Sequence, residues 1–129
     1  MVFTIKGKVI SGRRLGRELG FPTANVAIGE RSDIRDGVYA AICTLDGRRY
    51  EGMAYVGRKP SVEADPAGRV LEINIFGCDG DLYGSEIEVE LLHFIRQEEK
   101  FADTEQLKKA LQRDKDKVTQ YFKTIKNVY

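Results

Sequence analysis

Tryptophan is absent from the 129 residues, histidine occurs once and cysteine twice. Each shortage removes a class of chemistry. One histidine, His93, with no Cys-x-x-Cys pair leaves too few ligands for a zinc site. Cys43 and Cys78 are far apart, and two buried thiols in a reducing compartment is the preferred reading over a disulfide. Ser11 and Ser61 have no histidine and carboxylate at a recognisable spacing, so a hydrolase triad finds no support. A formal net charge of +1 gives no general electrostatic reason to expect nucleic acid as a partner. No apolar run of about 18 residues exists to cross a membrane. The opening Met1-Val2-Phe3-Thr4-Ile5-Lys6 is too short and too polar for a secretion signal, so a cytoplasmic location is expected.

Glycine, by contrast, is abundant, and three glycines recur in the stretch Gly12-Arg13-Arg14-Leu15-Gly16-Arg17-Glu18-Leu19-Gly20-Phe21-Pro22-Thr23-Ala24-Asn25. It matches neither Gly-x-x-x-x-Gly-Lys-Ser/Thr nor Gly-x-Gly-x-x-Gly. Glycine admits unusual backbone conformations and close approach to a ligand. Exposed N–H groups with arginines suit a polyphosphate. The Thr23 hydroxyl and Asn25 carbonyl are hard oxygen donors of the kind Mg²⁺ prefers. On chemistry alone a glycine-rich turn and a nucleotide site fit equally well.

Periodicity organises the remainder. Strands are predicted over Val2–Ile10, Asn25–Ile28, Gly37–Leu45, Arg48–Val56, Val70–Phe76 and Ser85–Ile95, with Asp46-Gly47 as a hairpin turn. Leu71, Ile73 and Ile75 share one face, and Glu72 and Asn74 the other. Ile87, Val89 and Leu91 point inward while Glu86, Glu88 and Glu90 point outward. The period then changes. Asp103 caps a helix with Gln106 as its capping-box partner, and Leu107, Ala110, Leu111, Val118, Phe122 and Ile125 form its apolar stripe. Strands followed by one long helix predict a mostly β fold: a small closed or nearly closed antiparallel barrel with the helix packed outside.

Several residues admit two readings. Glu72 either faces solvent from an apolar strand or accepts a proton from a substrate hydroxyl. Arg96 and Phe101 belong to a solvated connection or bracket a planar ligand by charge and stacking. Asp81-Leu82-Tyr83-Gly84 is a turn with a packed tyrosine or part of a site. His93, between Leu92 and Phe94, reads as a hydrogen-bonded structural histidine sooner than as a base.

Taken together, Gly7-x-Val9-x-x-Gly12, Gly16-Arg17-x-Leu19-Gly20-Phe21-Pro22-Thr23-Ala24-Asn25, Gly37-Val38-Tyr39, Glu72, Asp81-Leu82-Tyr83-Gly84 and Arg96-x-Glu98-x-x-Phe101 resemble the riboflavin kinase family. The resemblance covers nearly the whole chain. It implies a six-stranded antiparallel, Greek-key-like closed barrel with a C-terminal helix, over residues 1–129 as one domain. It also implies transfer of the γ-phosphate of ATP to the ribityl 5′-hydroxyl of riboflavin, giving FMN and ADP. Thr23 and Asn25 match positions that help hold Mg²⁺ and the nucleotide phosphates. Gly12, Gly16, Arg17 and Gly20 match the nucleotide cover, and Glu72 the general base. Arg96 and Phe101, with Asp81 and Tyr83 of a flap, match positions at the flavin.

The chain departs from the family pattern at Tyr55, Asn74, Gly77 and Gln97, where the family often has asparagine, histidine, aspartate and proline. Bacterial members are usually fused to an FMN adenylyltransferase domain, absent from these residues, so the chain reads as a stand-alone kinase or an excised domain. Small-molecule substrates, a monomer, and no nucleic-acid or membrane partner are expected. The alternative is a flavin- or nucleotide-binding barrel without catalysis, acting as carrier or sensor. A barrel for single-stranded nucleic acid would want an aromatic platform among basic residues, which is missing.

Overall fold

A computed structural model describes residues 2–10, 20–21, 23–29, 31–58, 69–78 and 82–126. Its strands are β1 (Phe3–Lys8), β2 (Ala24–Ala27), β3 (Gly37–Leu45), β4 (Arg48–Arg58), β5 (Arg69–Ile75) and β6 (Glu86–Arg96), followed by the helix α1 (Thr104–Lys126). The strands form one antiparallel sheet in the order β1-β6-β3-β4-β5-β2. The β3–β4 hairpin turns at Asp46-Gly47, with φ of 50° and 78°. Two left-handed residues in succession give the turn whose twist matches that of the flanking strands. β4 runs to Arg58, beyond the predicted Val56, because Gly57 and Arg58 still find partners in Val70 and Arg69.

The sheet curls until its edges meet. Ile10 pairs with Asn25, the Ile10 N–H donating to the Asn25 carbonyl at 2.8 Å. Gly7 permits the approach, since a Cβ there would collide with Val26 of β2. The expected barrel is therefore present in nearly closed form.

Alternation gives each strand two unlike faces. The inner faces of β2, β4, β5 and β6 bury Val26, Val56, Leu71, Ile73, Val89 and Leu91 in the barrel core. On the outer face, Val38, Ala40 and Met53 pack with Val118 and Phe122 of α1 in a second cluster. At about 25 cal/mol per Å² of apolar area removed from water, burial of this kind is the main force holding helix to sheet. The helix starts as predicted: the Gln106 N–H donates to Asp103 Oδ1 at 2.8 Å. The return contact is shifted by one residue, the Ala102 N–H donating to Gln106 Oε1 at 3.3 Å.

β6 breaks the simple alternation twice. Its pairing with β3 skips Ile95 between Val38↔Arg96 and Tyr39↔Phe94, and skips Leu92 between Ala40↔His93 and Ala41↔Leu91. Each bulge changes the phase of the side chains by one. Phe94 thereby joins the inner core, edge-on to Tyr39 at 5.3 Å, and Arg96 returns to the outer face.

Of the two thiols, Cys43 is buried and Cys78 only half-buried, and both are free. His93 is exposed and stacks on Tyr121 at 4.7 Å. It lies apart from the cavity described next. Among the described residues no helix is long and apolar enough to cross a membrane.

Candidate active site

Five neighbouring strands contribute one row of side chains to the outer face. Asn25 pairs with Glu72, Glu72 with Tyr55, Tyr55 with Val38, and Val38 with Arg96. Residues directly opposite in a sheet share a face. The row therefore spans four interstrand steps of about 4.8 Å, about 19 Å along the curved sheet. Strand alternation sends Glu72 outward, as either sequence reading allowed. The outer face here is no open surface, however, because α1 and the segment 97–103 cover it. A cavity of about 230 Å³ lies between them, reached by Thr23, Glu72, Asn74, Tyr55, Arg96 and Phe101.

At one end, the Thr23 hydroxyl donates to Glu72 Oε2 at 3.2 Å. Asn25, only 4% exposed, is the cross-strand partner of Glu72. Among the described residues no group of three or more His, Cys, Asp or Glu is disposed to hold a metal. The described residues thus form no all-protein cage there; the Thr23 hydroxyl stands beside the Glu72 carboxylate, and Asn25 is the next residue across the sheet. Such a set fits Mg²⁺, which keeps much of its shell for water and phosphate oxygens.

At the other end stands Arg96, the last residue of β6. Its Nε–H and Nη2–H donate to Asp114 Oδ1 and Oδ2 of α1 at 2.9 and 2.8 Å, and Nη1–H to the Gln97 carbonyl at 3.0 Å. The hydrogen bonds it donates to Asp114 hold the guanidinium pKa above its usual value, against the opposing effect of burial. Arg96 and Phe101 lie together at the cavity wall, guanidinium carbon to ring centroid 5.6 Å. Gly37 lets the end of β6 lie this close to β3. A Cβ at Gly37, where φ is 148°, would stand 2.5 Å from the Arg96 carbonyl. Between the two ends, the Tyr55 hydroxyl donates to Glu98 Oε1 at 2.6 Å and ties the segment after β6 to the sheet. Burial, then that hydrogen bond, raises the Tyr55 pKa and keeps the phenol a donor.

The structure thus brings together Thr23, Glu72, Arg96 and Phe101 at the cavity; Asn25 is buried beside Glu72 and does not itself line it. Gly12, Gly16, Arg17 and Asp81 lie outside the described residues. Gly20 is exposed in a turn with φ 88°. Tyr83 is 67% exposed and does not line the cavity. Sequence reasoning overlooked the apolar walls, Phe21 and Met53 with Leu107 and Leu111 of α1. It also overlooked Asp114, although a signal existed: an acid four residues from both Ala110 and Val118, in the middle of the apolar stripe.

Fold and site define a small barrel with a ligand cavity on its outer face and a carboxylate toward one end of it. Comparison with known proteins carries this further. The sequence matches the riboflavin kinase family, also called flavokinase, over residues 1–122, and the chain belongs to that family. It is 36% identical over 124 residues to a bifunctional riboflavin kinase/FMN adenylyltransferase of Buchnera aphidicola, covering 95% of this chain and 40% of that protein. It is 38% identical over 121 residues to the RNA-binding riboflavin kinase RibR of Bacillus subtilis, covering 94% and 52% respectively. Riboflavin kinase from Trypanosoma brucei shares the fold, with a TM-score of 0.64 over 95% of this chain and 78% of that one at 19% identity. The chain therefore spans 40% and 52% of the lengths of these two curated relatives.

Proposed function

We propose that this chain is a riboflavin kinase domain dependent on ATP and Mg²⁺, transferring the γ-phosphate to the ribityl 5′-hydroxyl of riboflavin. The observation carrying this reading is that the cross-strand row Glu72–Tyr55–Val38–Arg96 lines one cavity together with Thr23 and Phe101. Thr23 and its neighbour Asn25, the cross-strand partner of Glu72, would hold the metal. Mg²⁺, when bound, offsets charge on the phosphates. The flavin ring lies toward Arg96 and Phe101, which directs its ribityl chain toward Glu72.

Phosphoryl transfer asks mainly for positioning and charge neutralisation. The 5′-hydroxyl oxygen bonds to the γ-phosphorus while the bond from that phosphorus to the bridging oxygen breaks. The electron pair leaves with ADP, and Glu72 accepts the hydroxyl proton. The Thr23 hydroxyl, donating to Oε2, orients that carboxylate. Tyr55 and Glu98 hold the covering segment and help exclude water, a competing acceptor. Gly12, Gly16, Arg17 and Gly20 are assigned to the nucleotide, and Asp81 and Tyr83 to the flavin, by family resemblance alone. The barrel and helix act as one domain.

The test is incubation with riboflavin, ATP and Mg²⁺, followed by chromatography for FMN. FMN formation that requires all three is the expected result. Bound riboflavin with no FMN above background would leave a flavin carrier instead.

A further inference from the structure

Asp114 is a carboxylate buried completely, with 0% of its surface exposed, in the middle of a helix stripe that is otherwise apolar. Ala110, Val118 and Phe122 are its buried companions on α1. Stripping water from a charge is costly, and a well-packed hydrophobic residue would attach helix to sheet at least as well. Attachment alone therefore does not account for an aspartate at this position. Its partner does. Arg96 is the one cation among the described residues that line the cavity, which also holds the carboxylates of Glu72, Glu98, Glu99 and Asp114.

The geometry of the pair restricts what Arg96 can do. A guanidinium grips phosphate or carboxylate through its N–H edge, two donors at a time. Here Nε and Nη2 are both occupied by Asp114, and Nη1 donates to the Gln97 carbonyl. The charge is balanced, and three of the five N–H donors are engaged, both of the Nε/Nη2 edge among them. The flat face lies close to the Phe101 ring. Such a face suits an uncharged planar heteroaromatic ring better than an anion.

We infer that Asp114 is a positioning residue: from the helix, it fixes Arg96 as a stacking wall for the neutral flavin ring and withholds its Nε/Nη2 edge from phosphate. This inference rests on the reading of the cavity as the riboflavin site. Asp114 touches no reacting atom in this scheme, so its effect falls on flavin binding and not on the chemical step.

Riboflavin binding is measured by fluorescence quenching without nucleotide, alongside steady-state kinetics and thermal melting. Asp114→Asn should weaken riboflavin binding and raise its KM about tenfold, as expected for losing a charge-assisted contact. Its kcat should stay within about threefold of the wild type, the pattern of lost ground-state binding. A purely structural role predicts a lower melting temperature with unchanged riboflavin affinity, and that result would overturn the inference. The double variant Arg96→Met/Asp114→Leu removes both charges and completes the apolar stripe. It should regain the melting temperature lost in Asp114→Asn while still binding riboflavin weakly; wild-type affinity in the double variant would also overturn the inference. A wild type that binds no riboflavin would sink the functional reading and this inference together. A wild type that binds it, matched by Asp114→Asn, sinks this inference alone.

Discussion

The two faces of β5 divide the work of the molecule between them. Leu71, Ile73 and Ile75 enter a predominantly apolar barrel core, whereas Glu72 and Asn74, one residue away on the same strand, line the cavity under α1. A period of two lets one seven-residue strand serve both ends without compromise. The inner face admits a polar group only where a partner is at hand, as the Arg35 carbonyl is for the Tyr39 hydroxyl. The outer face can hold charge because helix and covering segment supply partners, as Asp114 does for Arg96. Stability should therefore be lost through one face and activity through the other.

The largest effect is expected on the inner face. Ile73→Ala should cost about 2–5 kcal/mol in chemical denaturation, from lost burial and the cavity left behind. The kcat of the protein that remains folded should be nearly unchanged, and a large fall in it would break the division. Next, Glu72→Gln should lower kcat about 10²-fold or more, the usual scale for removing a general base. Its melting temperature and riboflavin affinity should stay near wild type. Turnover close to normal would remove Glu72 from the chemistry. Asn25→Ala should come third, raising the Mg²⁺ and ATP concentrations needed for half-maximal rate by about tenfold. Unchanged dependence on both would refute the metal assignment.

Smaller still is Tyr55→Phe, which deletes the 2.6 Å bond to Glu98. Because Glu98 is exposed, the loss of stability should stay under about 1 kcal/mol. Stopped-flow measurements should show riboflavin leaving a few times faster; an unaltered off-rate would mean that this bond does not restrain the covering segment. The last effect returns to the inner face and emerges only at alkaline pH. Burial pushes the Cys43 thiol from an ordinary 9.0 up to about 11. A folded-state pKa raised this way contributes stability in full below pH 9, and that contribution disappears as pH rises through 11. Denaturation midpoints across this range should fall more for the wild type than for Cys43→Ala, and equal slopes would contradict the burial argument.

The strand pattern was legible because Leu71-Glu72-Ile73-Asn74-Ile75 alternates cleanly and Asp46-Gly47 admits one tight turn. Which side of the barrel carried the site was not legible. Glu72 facing outward reads as solvation until α1 is known to cover it, and that covering is a tertiary fact. The β6 bulges were hidden for a similar reason. Leu92, Phe94 and Ile95 are all apolar, so hydrophobicity cannot register a change of phase between them. Family resemblance pointed to Thr23, Asn25, Glu72, Arg96 and Phe101. Asp114 belongs to no such pattern: its place in the apolar stripe marks it as unusual, and its bidentate contact with Arg96 gives it a role.

The closure of the barrel has one more consequence. The bridge that joins its two edges is made by the backbone carbonyl of Asn25, the same residue whose side chain is assigned to the metal. The seam of the sheet thus runs beside the end of the site assigned to the nucleotide. Local opening that peels β1 from β2 would disturb metal binding while the other strands remain paired. By mass action, a ligand that favours the shut form slows that opening. The Ile10 amide should accordingly exchange its hydrogen more slowly when nucleotide and Mg²⁺ are present. Substrate occupancy would then serve as the fastener of the barrel as well as its cargo.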